Sequence, residues 1–218
     1  MIITIDGPAG AGKSTVARAL ARRLNFRFLD TGSMYRAVAL AALRRGYDWD
    51  VPEDLARLAR KLEIVVDGDR ITVDGEDVSE AVRSTEVTAV TRYAADNPQV
   101  RERLVELQRR LAGGDDVVVE GRDQGTAAFP EAECKIFLTA GAEERARRRL
   151  GDLQSQGEPV TFEEVLAAQE CRDREDASRP VGPLRPAADA VEVRTDGMTL
   201  EEVVDRLVVL ARKHKASF

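Results

Sequence analysis

Eight residues near the start of the chain, Gly7-Pro8-Ala9-Gly10-Ala11-Gly12-Lys13-Ser14, match the phosphate-binding pattern G-x-x-x-x-G-K-[ST] at every fixed position. The pattern constrains the fold, because it works only between a strand and a helix. The loop backbone wraps around an anion and the helix amino terminus faces it. Both neighbours are present: Ile2-Ile3-Thr4-Ile5 is an apolar, β-branched run suited to a buried strand, and Thr15 to Leu24 has helical spacing. In such a loop Gly7, Pro8, Ala9, Gly10, Ala11, Gly12 and Thr15 line the phosphates of a nucleotide. Lys13 reaches the β- and γ-phosphates, and Ser14 ligates Mg²⁺.

The same rhythm continues downstream. Phe26 to Asp30 reads as a strand, and Thr31-Gly32-Ser33-Met34-Tyr35-Arg36 leads into an Ala/Leu-rich helix to about Arg45. Thr31 or Ser33 is expected either to cap that helix or to meet a ligand, the two readings standing level. Arg36 sits one turn in, close after a strand end. Further strands are expected at Val117-Val118-Val119-Glu120, at Cys134 to Leu138 and at Ala190 to Val193, with a closing helix opened by Thr199. Five strands alternating with helices predict an α/β fold: a five-stranded parallel sheet in a three-layer α/β/α arrangement, with ligand groups at the carboxyl ends of the strands.

One stretch departs from this rhythm. Between Leu62 and Val82 short β-branched runs alternate with Asp67-Gly68-Asp69 and Asp74-Gly75-Glu76, which predicts a small antiparallel β-insert. Helices follow from about Thr85 to Ala95, stopped near Pro98, and from Val100 to Leu111. Arg92, Arg101 and Arg103 lie here, each by itself more typical of a solvated helix face.

The strand at Val117 ends in Glu120-Gly121-Arg122-Asp123. An acid at such a strand end positions Mg²⁺ or its waters beside a phosphate loop, and both Glu120 and Asp123 qualify. Arg122 is costly there unless it meets an anion or a carboxylate. Four arginines, Arg145, Arg147, Arg148 and Arg149, crowd the helix after the next strand. Glu143 with Arg147 and Glu144 with Arg148 form helical pairs, and the remaining charge suits a patch near phosphates. Gln154 to Pro159 has loop chemistry and Thr161 to Glu164 resembles a capped helix start, so a mobile lid is expected here. Further on, Arg172, Asp176 and Arg179 fall at i, i+4 and i+7. By spacing alone they favour a surface ion-pair ladder over a ligand site.

Composition narrows the partners. With 39 acidic against 33 basic residues, the net charge of −6 argues against a broad basic face for nucleic acid or anionic membrane. Cys134 and Cys171 match no metal or redox spacing and are expected as two packed thiols in a reducing cytoplasm. The single histidine, His214, is expected in a solvated tail position, which disfavours Ser-His and His-metal chemistry. No apolar run approaches membrane-spanning length, and a strand opening at Ile2 carries the expectation of no leader peptide.

Taken together, these segments resemble the bacterial cytidylate kinases, nucleoside-monophosphate kinases that act on CMP and dCMP. The resemblance is chain-long. It rests on Ile5 to Thr15, Leu29-Asp30-Thr31-Gly32 with Tyr35-Arg36, Gly75 to Ser79, Pro98-Gln99-Val100-Arg101, Glu120-Gly121-Arg122-Asp123-Gln124-Gly125-Thr126, Lys135 to Leu138, and Arg172 to Arg179. Adenylate and shikimate kinases share only the phosphate loop and general layout. The resemblance implies ATP as donor with Mg²⁺, acceptor phosphate held by Arg36, Arg122 and Arg179 with Thr31 nearby, the cytosine read by Arg101 and Asp123, and the sugar engaged by Arg172 and Asp176. It thereby moves the 172–179 face from ladder to substrate site. Lys13, Arg122 and a lid-side arginine, Arg148 the candidate among several, would neutralise the transferring phosphoryl. Where the family often carries serine this chain has Arg92, to which no role carries over. A monomeric, cytoplasmic, single kinase domain is implied, acting on small nucleotides and not on nucleic acid polymers or membranes. Its core would span about 1–45, 112–145 and 185–218, its acceptor region with the β-insert about 46–111, and its lid about 148–165. Two rivals share the phosphate loop: a kinase for another small acceptor, and a nucleotide switch without transferase activity. The second arginine and carboxylate constellation argues against the switch.

Overall fold

A computed structural model describes residues 1–155 and 157–215. Residue 156 of the expected lid and residues 216–218 of the expected core lie outside the described residues. In chain order the elements are β1 (Ile2–Asp6), α1 (Lys13–Leu24), β2 (Arg27–Asp30), α2 (Thr31–Arg44), α3 (Pro52–Lys61), β3 (Ile64–Asp67), β4 (Arg70–Val73) and β5 (Glu76–Asp77). They continue with α4 (Thr85–Asp96), α5 (Pro98–Ala112), β6 (Val117–Glu120), β7 (Cys134–Thr139), α6 (Ala142–Ser155), α7 (Phe162–Ser178), β8 (Val191–Arg194) and α8 (Leu200–Lys215). As expected, five strands make one parallel sheet, in the order β2-β6-β1-β7-β8, and three make a separate small one.

The chain forms two compact units, Met1–Phe26 with Val118–Phe218, and Arg27–Val117. In the first, β1 pairs in parallel with β7, Ile5 opposite Ile136, and β7 with β8, Ile136 opposite Val191. Ile3, Ile5, Ile136 and Leu138 are fully buried, which explains why these strands read as continuous apolar runs instead of alternating ones. Helices α1 and α8 pack together, as do α6 and α7.

In the second unit, β3, β4 and β5 form the antiparallel insert, Ile64 opposite Val73 and Val73 opposite Glu76. Ile64 and Val66 point inward while Val65 is exposed, the alternation of a one-sided sheet. Asp74 (φ 51°) and Gly75 (φ 85°) make the tight two-residue turn between β4 and β5.

Several details differ from the sequence expectations. Helix α2 is capped by Asp30, whose carboxylate accepts the Ser33 N–H at 2.9 Å, and not by Thr31 or Ser33. An acidic residue one position earlier serves the same unsatisfied N–H groups. No element is expected at residues 46–61, and α3 stands there. Pro52 opens it, acids fill its first turn, Arg60 and Lys61 its last, and Leu55, Ala56, Leu58 and Ala59 are buried. Cys134 is buried as expected, its thiol pushed up to about 11 by burial first and Glu133 second, but Cys171 is exposed on α7. His214 is half-buried within α8, its Nδ1 2.9 Å from the Leu210 carbonyl, and not in a solvated tail. Among the described residues, no helix is long and apolar enough to cross a membrane.

Candidate active site

In the first unit β1 delivers the chain into Gly7–Gly12, and α1 starts at Lys13. Gly7 has φ 150°, and a Cβ there would lie 2.0 Å from the Leu138 carbonyl oxygen, so no side chain fits where the loop leaves the sheet. Gly12, at φ 83°, is the left-handed cap of α1, and a helix amino terminus offers unpaired N–H groups to an anion. The Lys13 ammonium donates to the Pro8 carbonyl at 2.7 Å. Burial first, then Arg122, lowers the Lys13 pKa to about 7, while Glu120 opposes the shift.

The acid that closes β6 meets this loop. The exposed Ser14 hydroxyl donates to Glu120 Oε1 at 2.5 Å, and Glu120 is itself buried. Of the two acids singled out in the sequence, Glu120 therefore stands beside Ser14. Buried Asp123 heads the irregular turn Gln124–Ala128, its carbonyl accepting the Ala127 and Ala128 N–H groups. A hydroxyl and a carboxylate oxygen side by side are a donor set that suits Mg²⁺.

The same unit gathers a second charged cluster. Arg122 Nε donates to Asp176 Oδ2 at 2.9 Å and Arg179 Nη2 pairs with Asp176 Oδ1 at 2.6 Å. Asp176 is 2% exposed, so these residues do not form the surface ladder that spacing alone favours. Helix α7 ends at Ser178 and Arg179 is its cap, which lets Arg179 turn back onto Asp176 at i+3. Burial would raise the Asp176 carboxyl, but Arg122 and then Arg179 outweigh it and hold the group below the ordinary carboxylate range. Arg172 is exposed on α7, and its charge reaches both Lys13 and Asp176.

The arginine run of α6 divides by what each side chain contacts. Arg147 pairs with Glu143 at 2.9 Å on the exposed face. Arg148 bonds Glu144 at 3.1 Å and reaches Thr195 through Oγ1 at 3.2 Å and the carbonyl at 3.1 Å; a Cβ on Gly12 would lie 3.9 Å from its Nη1. Arg145 is the buried member. It donates to the carbonyls of Ala140 at 3.0 Å and Ala9 at 2.9 Å and pairs with Asp173 of α7 at 2.7 Å.

In the second unit Thr31 is buried at the start of α2, and Arg36 rests on the Asp30 carboxylate at 3.0 Å. Arg101, on α5, is buried as well, donating to the Ala95 carbonyl at 3.0 Å with its guanidinium 5.6 Å from the centre of the Tyr35 ring. The exposed Arg92 lies 5.0 Å from the centre of the Tyr93 ring, which stacks on Trp49.

Two buried charged residues that meet the loop and the segment after β6 carry no assignment from sequence. Arg145 is indistinguishable from its neighbours in an Arg-rich run. Asp6 falls within Ile5 to Thr15; its one signal is a charged residue ending an otherwise apolar strand.

A family model described as cytidylate kinase matches residues 3–213 of this chain. A cytidylate kinase from Rhodopirellula baltica is 54% identical over 98% of this chain and 93% of its own length. One from Desulfitobacterium hafniense is 51% identical over 95% and 91%. A bifunctional pantoate ligase/cytidylate kinase from a Synechococcus strain is 48% identical over 97% of this chain, which aligns with 40% of that longer protein. Among solved structures, shikimate kinase from Bacteroides thetaiotaomicron shares the fold at a TM-score of 0.50 and 16% identity, covering 97% of this chain and 98% of that one.

Proposed function

The chain belongs to the cytidylate kinase family, and from that premise we propose that it transfers the γ-phosphoryl of ATP to CMP and dCMP, giving ADP and CDP or dCDP. The observation that carries the reading is a phosphate loop whose Ser14 meets the acid ending β6, with the Arg122–Asp176–Arg179 cluster in the same unit.

The chemistry asks little of a general base. A phosphate monoester has a second pKa of about 6, so the attacking acceptor oxygen is already anionic near neutral pH. The one histidine, in α8, is not needed. The work is to hold two polyanions in line and to neutralise charge in a loose transition state. Lys13, held at the mouth of the loop by the Pro8 carbonyl, is the cation for the donor phosphates. Ser14 and Glu120 would hold Mg²⁺, which would supply charge neutralisation at the donor phosphates. Arginine, with its fixed fork of donors, suits the remaining contacts: Arg122 and Arg148 at the transferring phosphoryl, and Arg36, Arg122 and Arg179 on the acceptor phosphate.

Arg101 and Asp123 read the cytosine edge, and Arg172 and Asp176 engage the sugar. A site of paired polar groups rejects a base that lacks their partners more strongly than an apolar pocket does. The acceptor region spans about 46–111 and the lid about 148–165, which closes to keep water from the transferring phosphoryl. We place the enzyme in the cytoplasm as a monomer, free of nucleic acid polymers and membranes, consistent with its acidic balance.

A coupled ADP-release assay with MgATP and separate CMP, dCMP, UMP, AMP, GMP and shikimate acceptors tests the reading. Turnover confined to CMP and dCMP is expected. Turnover on a different acceptor keeps the kinase but removes the roles of Arg101 and Asp123. ATP binding without turnover on any of them returns the switch reading.

A further inference from the structure

Asp6 is the last residue of β1 and is buried, yet the transfer chemistry gives it no task. Its backbone position is fixed from both sides: Ile3 to Asp6 are in register with Cys134 to Phe137, and the following Gly7 lies against the Leu138 carbonyl too closely for any side chain. From there its carboxylate reaches across to the segment after β6. Oδ1 accepts the Gln124 N–H and Oδ2 accepts the Gly125 N–H, each at 2.8 Å and each buried.

These two amides follow directly on Arg122 and Asp123. The segment is anchored at its near end by the Gly121 N–H, which donates to the Ile5 carbonyl at 3.1 Å. It is also pressed onto β1, since a Cβ on Gly125 would come within 3.0 Å of Thr4 Oγ1. Between these fixed points the chain leaves strand geometry for the turn Gln124–Ala128, whose opening N–H groups have no strand partner to meet. Asp6 supplies the acceptors.

A neutral side chain would be less costly here. Burial pushes the Asp6 carboxyl up to about 6 in spite of the two amides, and Asp123 raises it further while Lys13 opposes. A buried negative charge at the foot of a loop built for polyanions also works against donor binding. What only a carboxylate offers is two acceptor oxygens in a rigid plane, matched to two successive amides; asparagine has one acceptor and would turn its NH₂ toward the other N–H.

We propose that Asp6 is a positioning residue for the acceptor: through the Gln124 and Gly125 amides its carboxylate sets where Arg122 and Asp123 stand relative to the phosphate loop. The proposal rests on the cytidylate kinase reading of the site. Because Asp6 and Gly7 are adjacent, the donor loop and the acceptor-binding segment share one fixed point, which holds donor and acceptor at the separation that in-line transfer needs.

The test is a kinetic comparison of wild type with Asp6→Asn and Asp6→Glu, measuring KM for CMP, KM for MgATP and kcat, with MgADP affinity by calorimetry and the melting temperature alongside. Leaving one buried amide unmatched is expected to raise the CMP KM of Asp6→Asn about tenfold and lower kcat by a similar factor, with MgADP affinity and MgATP KM within about twofold of wild type. Asp6→Glu keeps both oxygens on a longer arm and is expected to fall between the two, recovering kcat more fully than the asparagine variant. If Asp6→Asn does not fold, the Glu variant decides alone by the same split. Equal losses for CMP and MgATP overturn the proposal, and so does a lowered melting temperature with unchanged CMP kinetics. Wild-type protein that fails to turn over CMP overturns the functional reading instead, independently of any Asp6 variant.

Discussion

Asp176→Asn is the substitution whose cost follows most directly from the geometry. The carboxylate is 2% exposed and takes Arg122 at 2.9 Å and Arg179 at 2.6 Å, the arginine side chains being 22% and 11% exposed. Removing one member of a buried ion pair costs about 3–5 kcal/mol, because the remaining charge is left without compensation. Both guanidinium groups keep some access to water, so the lower end, about 3 kcal/mol, applies here. For a chain of 218 residues, each kcal/mol moves the melting temperature by roughly 2–4 °C, giving a fall of about 6–12 °C.

The assay is thermal unfolding of wild type and variant without nucleotide, at low salt and at about 0.5 M salt. A buried cluster is screened little, so the fall should persist in salt. A solvated ladder would be worth at most about 1 kcal/mol and would fade. The pH dependence has a definite sign. The Asp176 pKa is lower in the folded chain than in the unfolded one, so its stabilisation is present above about pH 4 and is lost as pH falls through the folded pKa. The gap between wild type and variant must therefore close in acid. A fall below about 2 °C at neutral pH, or one that disappears in salt, would refute the buried-cluster account.

Other substitutions separate the remaining roles. Lys13→Met should lower kcat by about a hundredfold or more while leaving the melting temperature close to wild type, since its ammonium is buried at a carbonyl when no phosphate is present; steady-state kinetics with a thermal melt check both halves. Arg145→Met removes the bonds to Ala9 and Asp173 and should raise the MgATP KM about tenfold with little change for CMP, a split that a phosphoryl-contacting arginine would not produce. Asp6 is raised from 3.8 to about 6 by burial, so its contribution to stability is fully present below about pH 4 and is lost as pH rises through about 6. Denaturation at pH 4.5 and 7.5 should show wild type losing of order 2–3 kcal/mol relative to Asp6→Asn across that interval, and a constant difference would contradict the buried placement.

The phosphate loop, the parallel sheet and the β-insert were legible in the chain itself, because each depends on local chemistry. Gly7 and Gly12 answer to backbone constraints that only glycine meets, Ile2 to Ile5 and Val117 to Val119 are apolar without alternation because both faces are covered, and Asp74-Gly75 permits one kind of turn. The identities of Lys13, Ser14 and Arg122 belong to motifs whose spacing is itself the signal. Helix α3 had comparable local cues in Pro52 and its charged ends, but they lie between stronger patterns.

Long-range pairing was not legible, because nothing in a spacing rule says which side of a helix will be buried or what will meet it there. Arg172, Asp176 and Arg179 have the periodicity of a surface ladder; only packing made Asp176 a buried counter-charge to an arginine 54 positions earlier. Arg145 became the loop's support and Arg147 a solvated pair by the direction each takes from one helix. Asp6 gained its two partners from residues 118 and 119 positions away. Sequence determined which charged and polar groups the chain carries, whereas burial and the meeting of distant segments decided which of them stand at the loop and which carry their charge beside a partner.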